Sequence, residues 1–380
     1  MNVARYSKQS NDWWKSAVFY QIYPRSFYDS NNDGIGDLKG VVEKLDHLND
    51  GNGGGLGIDA IWLSPFFPSP QADFGYDVSD YCDVDPIFGS LKDFDSLVSE
   101  SHKRRIRVVI DLVLNHTSDQ HPWFAESRQN RTNDKADWYV WVDPGPDGKP
   151  PNNWLAVFGG AAWTYEPQRQ QYYLHNFLPE QPDLNWYNPE VREALAEVIR
   201  FWMNRGVDGF RLDTANYYAF DRQLRDNPKR HEGSEILKDE QEANPLSAYI
   251  TKYSKDRPEN LEFIKFLRKV FDEKGHITSI GEIGSGEGLD STLRLGADYV
   301  KRKDGLHLAY TFALLGEKMN ADYFDQVTKI TEEAIEDGWP CWSLSNHDCK
   351  RMMTRYKCFA EREGYQQMML LLMLSLRGTT

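Results

Sequence analysis

The sequence predicts an α/β fold, a (β/α)8 TIM barrel with a long loop domain inserted after strand 3. Three observations predict it: short β-branched runs alternate with helix-length amphipathic segments, at least six such units are present, and two long irregular stretches follow strands. Strand alternating with helix means parallel βα units, and this many exceeds the usual doubly wound sheet. Active-site groups are then expected at the C-terminal ends of the strands.

In chain order, AVFYQIY at 17–23, IDAIWLS at 58–64, RIRVVIDLVL at 105–114, VDGFRL at 207–212, HITSIGE at 276–282 and CWSLS at 341–345 read as strands, with further runs at LHLAYTF and SLRGTT. Between them LKGVVEKLDHL, SLKDFDSLVSESHKR, NPEVREALAEVIRFWMNR, PENLEFIKFLRKVFDEK and ADYFDQVTKITEEAIED repeat apolar residues every three or four positions, which predicts helices. Asn188 followed by Pro189 is an N-cap with proline in the first turn. The barrel is assigned to 13–114 and 186–380. The stretch 115–185, rich in Trp, Pro, Gly and Asn, is the inserted domain, and the charged stretch 214–257 is a second extended βα loop. The glycine-rich NDGNGGGLG at 49–57 is a turn on the opposite rim.

Composition narrows the partners. With 40% hydrophobic and 27% charged residues the chain is globular rather than disordered. A net charge of −14 repels phosphate backbones and anionic lipid, which argues against nucleic-acid or membrane-surface binding. Cys82, Cys341, Cys349 and Cys358 form no metal-type spacing and suggest no disulfide framework, so a reduced, cytoplasmic protein is expected. The start of the chain lacks a signal-type apolar core, and the longest apolar run, MMLLLMLSL, is too short to span a bilayer.

The strand ends carry the chemistry. DLVLNH supplies Asp111, Asn115 and His116; GFRLD supplies Arg211 and Asp213; GE supplies Glu282; SNHD supplies His347 and Asp348. A single strand-end Asp is ordinarily a cap or a solvated loop residue. Three carboxylates on three strands beside Arg211 and two histidines raise one another's pKa, an arrangement that acid/base catalysis uses.

In this order and on these strands the four motifs resemble the signature regions of the α-amylase family, glycoside hydrolase family 13, with a resemblance running from about Trp13 onward. AVFYQIYPRSF, DAIWLSPFFPSP, FGYDVSDY and QPDLN (Gln181 to Asn185) resemble its α-glucosidase and oligo-1,6-glucosidase branch. RQNRTNDKADWYVW and WPCWSLSNHD are similar to bacterial α-glucosidases. The resemblance implies Asp213 as nucleophile, Glu282 as general acid/base and Asp348 as the carboxylate that grips the sugar, with His116 and His347 as hydrogen-bonding neighbours. Arg211, on the same strand face as Asp213, can hold the nucleophile ionised. Repulsion from Asp213 and Asp348 would keep a proton on Glu282, and retention predicts a carboxyl separation of about 5 to 5.5 Å.

The resemblance further implies an ion pair of Asp77 with Arg355 that closes the glucose pocket for exo-action, and Tyr76 stacked on the same glucose. DSNNDGIGD offers Asp29, Asn31, Asp33, the Ile35 carbonyl and Asp37 at alternate positions, and the resemblance implies a structural Ca²⁺ or Mg²⁺ there. Position twelve is Gly40, so the segment is no EF-hand, and a turn without metal is the alternative. No organic cofactor is expected. Ala215, second after the nucleophile, leans towards α-1,4 substrates of maltose type. The expected function is a retaining exo-α-glucosidase with transglucosylation. The alternatives are an oligo-1,6-glucosidase, a trehalose synthase or other sucrose-processing enzyme, and a catalytically dead barrel serving as a binding subunit. Relatives continue past SLRGTT through an eighth helix and a C-terminal β-sandwich, so the chain is expected to be a fragment, which puts its activity alone in question. Cys349, beside Asp348, stands where relatives usually carry other residues.

Overall fold

The structure is a computed structural model and describes residues 11–231, 245–285, 287–318, 320–355 and 378–379. The chain opens with strand β1 (Phe19–Ile22), the short helices α1 (Pro24–Phe27), α2 (Leu38–Glu43) and α3 (Leu45–Leu48), and β2 (Ala60–Leu63). Helix α4 (Leu91–Lys103) and β3 (Arg107–Leu112) follow, then α5 (Pro122–Ser127) and strands β4 (Trp141–Val142), β5 (Trp163–Glu166) and β6 (Gln171–Leu174). The remainder is α6 (Pro189–Asn204), β7 (Gly209–Leu212), α7 (Asn260–Asp272), β8 (Thr278–Ile283), α8 (Leu289–Asp298), β9 (Leu308–Thr311), α9 (Ala321–Ile335) and α10 (Met352–Arg355).

Six strands form one parallel sheet in the order β1-β2-β3-β7-β8-β9, the curled order of a (β/α)8 barrel. Every residue of β2, β7 and β8 is buried, as in a parallel sheet covered on both faces. Strand β7 can approach β8 because residue 209 is glycine; a Cβ there would stand 2.5 Å from the Thr278 carbonyl oxygen.

The helices begin where their capping residues dictate. The Asn188 side chain accepts from the Glu190 N–H, with Pro189 as the first residue of α6. Ser90 and Asp93 form a reciprocal capping box at α4. Between α4 and α6, Phe66, Phe94 and Trp202 pack with ring centroids 4.8–5.4 Å apart, and the Trp202 indole donates to the Tyr81 carbonyl at 2.7 Å. Burying a ring of that size contributes about 5 kcal/mol at ~25 cal/mol/Å².

Two local expectations change. LKGVVEKLDHL breaks at Lys44, whose N–H turns back to the Val41 and Val42 carbonyls, and so forms α2 and α3 instead of one helix. CWSLS forms no strand among the described residues; Cys341 makes an isolated parallel bridge to Thr379, whose hydroxyl donates to the Trp14 carbonyl at 2.7 Å. Of the SLRGTT run, 375–377 and residue 380 lie outside the described residues, as do Cys358 and MMLLLMLSL. Helix α8 is an element beyond those the apolar periodicity predicts.

The two long loops meet over the C-terminal ends of the strands. In the first, β4, β6 and β5 form an antiparallel sheet over a small core of Val140, Trp154, Ala162, Trp163 and Leu174. It returns to the barrel at the bridges His116 to Asp183 and Tyr139 to Leu184. The Trp154 indole donates to the Arg225 carbonyl at 2.9 Å, and Asn153 donates to that of Asn227, joining it to the second loop. Residues 232–244 of that second loop lie outside the described residues.

Candidate active site

Parallel register brings the strand-end residues into line. Asp111 on β3 is opposite Arg211 on β7, and Glu282 on β8 is opposite Tyr310 on β9. Arg211, 1% exposed, is the centre. Its Nη1 donates to Asp111 at 2.9 Å and to Asp213 at 2.7 Å, and its Nη2 lies 2.7 Å from Glu282 Oε1. Arg211 and Asp213 share a face because side chains alternate along a strand. Tyr310 fills the remaining angle, accepting from Arg211 at 2.9 Å and donating to Glu282 at 3.1 Å. Trp62 and Tyr76 donate to Asp111 Oδ2 at 3.1 and 3.0 Å.

One cation therefore faces three carboxylates in a dry setting. Burial works against the Arg211 cation, yet Asp111 and Glu282 hold it well above its ordinary range. Burial pushes Asp213 upward, Arg211 pulls it down, and Glu282 pushes it up again; the net direction is upward. Thr214, in the left-handed region at φ 42°, donates its N–H to Glu282 at 3.1 Å and its hydroxyl to Asp213 at 3.3 Å, coupling the two carboxylates through one residue.

Above this layer a cavity of about 1370 Å³ opens, lined by Asp213, Glu282, Asp348, His116, His347 and residues of both long loops. His347 is clamped between Tyr23 and Tyr76, with ring centroids 5.6 and 5.3 Å away, and its Nδ1 meets Gln21 at 2.9 Å. Burial, aided by Arg211, lowers His347 to about 4, and burial lowers His116 to about 3, so both are neutral near pH 7. Asp348 faces the cavity with its side chain 58% exposed, held by Asn346 Nδ2 at 3.0 Å and beside His347 Nε2 at 3.4 Å. Although water reaches it, the surrounding walls and Glu282 raise it to about 6.

The expected pair of Asp77 and Arg355 does not form. Asp77 is fully buried and accepts from the Ser69 hydroxyl and the N–H groups of Ala72 and Asp73, so it shapes the loop beneath the cavity. Arg355 donates to the carbonyls of Leu344 and Lys350 and to Cys349 Sγ at 3.1 Å. Asp73, four residues before Asp77 in the same QADFGYD segment, reaches the cavity instead. Gln181 of QPDLN donates to it at 2.8 Å and meets His116 at 3.1 Å. Only backbone geometry tells these neighbouring aspartates apart. Tyr76 lines the cavity but already has a ring partner in His347.

The first βα loop wraps around Asp29, whose carboxylate accepts from the N–H groups of Asn31, Asn32 and Gly34. Asp33 accepts from Ile35 N–H and from Asn31, and Gly34 supplies the left-handed turn at φ 93°. Asp37 is turned away to cap α2 and to bind Ser30, so the five expected donors do not form one cage. Among the described residues no three His, Cys, Asp or Glu side chains converge as a metal site. The remaining donors, Asp29, Asn31, Asp33 and the Ile35 carbonyl, are hard oxygen ligands of the kind Ca²⁺ and Mg²⁺ take.

Residues 21–380 match the family "Alpha amylase, catalytic domain". The chain is 51% identical over 370 residues to a probable alpha-glucosidase of Rhizobium meliloti (strain 1021), covering 97% of this chain and 66% of that protein. It is 41% identical to the oligo-1,6-glucosidase of Parageobacillus thermoglucosidasius, covering 90% and 59%. Among solved structures it superposes on the alpha-glucosyl transfer enzyme XgtA with a TM-score of 0.90 at 49% identity, covering 96% of this chain and 66% of that one. The trehalulose synthase MutB from Pseudomonas mesoacidophila MX-45 gives 0.83 at 37% identity, covering 97% and 64%. The chain thus spans about two thirds of the length of these proteins or less. A curled parallel sheet with clustered strand-end carboxylates and a match over nearly the whole sequence together establish that the chain belongs to the alpha-amylase family.

Proposed function

We propose that this chain carries the catalytic barrel of a retaining exo-α-glucosidase acting on short α-glucosides. The observation that carries the reading is the double hold on Asp213 and Glu282, both bound to Arg211 and both bridged by Thr214. Asp213 Oδ attacks the anomeric carbon while Glu282 gives a proton to the departing oxygen; water then returns the proton to Glu282 and displaces Asp213. Arg211 favours the anionic form of the nucleophile against the burial and the Glu282 charge that raise it. Asp348, with neutral His347 and His116, accepts and donates hydrogen bonds to the ring hydroxyls as positive charge develops at the anomeric centre.

Exo-action is assigned to the wall made by Asp73, Gln181 and His116 rather than to Asp77 and Arg355. Ala215 is fully buried and donates its N–H to the Glu282 carbonyl at 3.0 Å, so its leaning towards α-1,4 linkages would act through the backbone beneath the acid/base. Interception of the glucosyl ester by an alcohol gives transglucosylation. That reading is favoured by two superposable proteins whose names are a glucosyl transfer enzyme and a trehalulose synthase. We also propose that Asp29, Asn31, Asp33 and the Ile35 carbonyl hold a structural Ca²⁺ or Mg²⁺. Such an ion would tie down the loop after β1 and takes no part in the reaction steps above.

The test is glucose release from maltose, isomaltose, sucrose and starch, with the product anomer followed by NMR. Release of α-glucose from the short substrates, lost in Asp213→Asn, is the expected result. An unaffected variant removes the assignment of the nucleophile.

A further inference from the structure

A buried ammonium loses hydration that few sites return, so a lysine in the interior marks a specific contact. Among the described residues Lys255 is the only buried lysine, 4% exposed, and it lines the cavity from the far end of the second extended loop. Its Nζ donates to the Gly284 carbonyl at 3.1 Å and stands 5.0 Å from the Tyr217 ring centroid. Asn216, fully buried on the same loop, donates to that same carbonyl at 2.7 Å. The Asn216 amide nitrogen also donates to the carboxylate of Asp256, the residue after Lys255, and the Asp256 N–H returns to the Asn216 carbonyl at 3.0 Å. Asp256 sits in the left-handed region at φ 55° to make this clasp.

The arrangement has a cost. Asn216 Oδ1 is buried with no hydrogen-bond partner among the described residues, an orphan acceptor that lowers stability. Exchanging the amide oxygen and nitrogen would aim oxygen at the Asp256 carboxylate and the Gly284 carbonyl, so the two donations fix the orientation. What the donors hold is the exit of β8. The ladder to β9 ends at Ile283, and Gly284 beyond it has no side chain that packing could pin. Glu282, one residue before that end, gives its own carbonyl to the Ala215 N–H at 3.0 Å. One loop thereby grips the main chain of the acid/base on either side of Ile283.

We propose that Lys255 and Asn216 are positioning residues for proton donation: by holding the Gly284 carbonyl they set where Glu282 meets the departing oxygen. The proposal rests on the glucosidase reading above. Proton transfer depends on the placement of donor and acceptor, and a displacement of about 1 Å can cost about 10²-fold. The nucleophile hangs instead on β7 and Arg211, so attack by Asp213 does not draw on Lys255. The two halves of the first step therefore respond differently. Without the clamp Asp213 still forms its bond to the anomeric carbon, while a leaving oxygen that must take its proton from Glu282 departs more slowly.

Maltose and α-glucosyl fluoride tell the two halves apart, since fluoride leaves as an anion and kcat/KM covers the steps up to the glucosyl ester. Lys255→Met is expected to lower kcat/KM for maltose by about 10- to 100-fold and that for the fluoride by no more than about threefold. In the Glu282→Gln background the same substitution is expected to add no further loss on maltose, because the proton donor is already gone. Asn216→Ser, which withdraws the second donor, is expected to show the same split, and it decides in place of Lys255→Met should that variant not fold. Equal losses on both substrates, undiminished turnover of maltose, or additive losses in the double variant overturn the proposal while the glucosidase reading stands. A wild-type chain that releases glucose from neither substrate overturns both.

Discussion

Arg211 and Asp213, two residues apart on β7, form a 2.7 Å ion pair in which the same guanidinium nitrogen also holds Asp111. The other terminal nitrogen takes Glu282, so the planar fork of arginine, with five donors in fixed directions, is what the site requires. Arg211→Lys keeps the charge but offers a single point of it, and leaves at least one buried carboxylate without its partner. The variant is expected to lose about 3–5 kcal/mol of stability, the usual cost of breaking a buried pair, together with nearly all turnover. Urea unfolding beside steady-state kinetics checks it; wild-type stability in the lysine variant would contradict the central role given to Arg211.

Glu282 lies 2.7 Å from Arg211 and receives hydrogen bonds from Tyr310 and Thr214, so its carboxylate is fixed by three groups rather than left to rotate. A group that protonates the leaving oxygen matters only if that oxygen needs a proton. Glu282→Gln should therefore reduce kcat/KM for maltose by about 10²–10⁴, and much less for a glucoside whose phenol leaves as a stable anion. Comparing the two substrates on one variant is the measurement, and equal losses would assign Glu282 another role.

Asp348 is raised to about 6 by burial and Glu282, and Asp73 to about 6 by burial despite the Gln181 hydrogen bond. Each makes its stronger, charge-assisted hydrogen bonds from sugar hydroxyls when ionised, so kcat/KM is expected to fall as pH drops through about 6. The sign for stability is opposite. Both groups bind protons more tightly in the folded chain than at their ordinary value of 3.8, so their stabilising contribution is present below that value and fades as pH rises through about 6. Activity and stability contributed by these residues should thus run against each other between about pH 4 and 6. Asp73→Asn should weaken the acid limb of the kcat/KM profile, and a profile left unchanged counts against a substrate role for Asp73.

Strand ends were legible because parallel strands buried on both faces read as apolar runs, and a charged residue closing such a run, as in GFRLD and SIGE, stands out. Arg211 followed by Asp213 was readable from the two-residue period alone. What was not legible depends on the path of the backbone. Asp73 and Asp77 lie in one short segment, and the left-handed turns at Phe74 and Gly75 decide that the former reaches the cavity while the latter is swallowed by the loop. Helix α8 leaves a weak signature because it spans only ten residues and includes Gly296, tolerated where Thr311 packs close against it. CWSLS carries strand-like residues, but only Cys341 finds a bridge partner among the described residues.

The loop after β1 holds a carboxylate ringed by its own amides, and the Gly34 N–H leads in lowering the Asp29 pKa, so Asp29 is charged across the physiological range. An exposed anion flanked by Asn31, Asp33 and the Ile35 carbonyl has the donors for a hard divalent cation, while Asp37 is committed to α2. Water would complete the shell, which predicts weak, millimolar-class binding rather than a locked site. A ligand that binds only the folded chain raises stability by RT ln(1 + [L]/Kd), so 10 mM CaCl₂ against a Kd of about 1 mM adds roughly 1.4 kcal/mol. Thermal unfolding should therefore rise by a few degrees in calcium and return on chelation, and Asp29→Asn should abolish the response. Equal melting temperatures with calcium and with chelator would mark the loop as a polar turn that binds no ion.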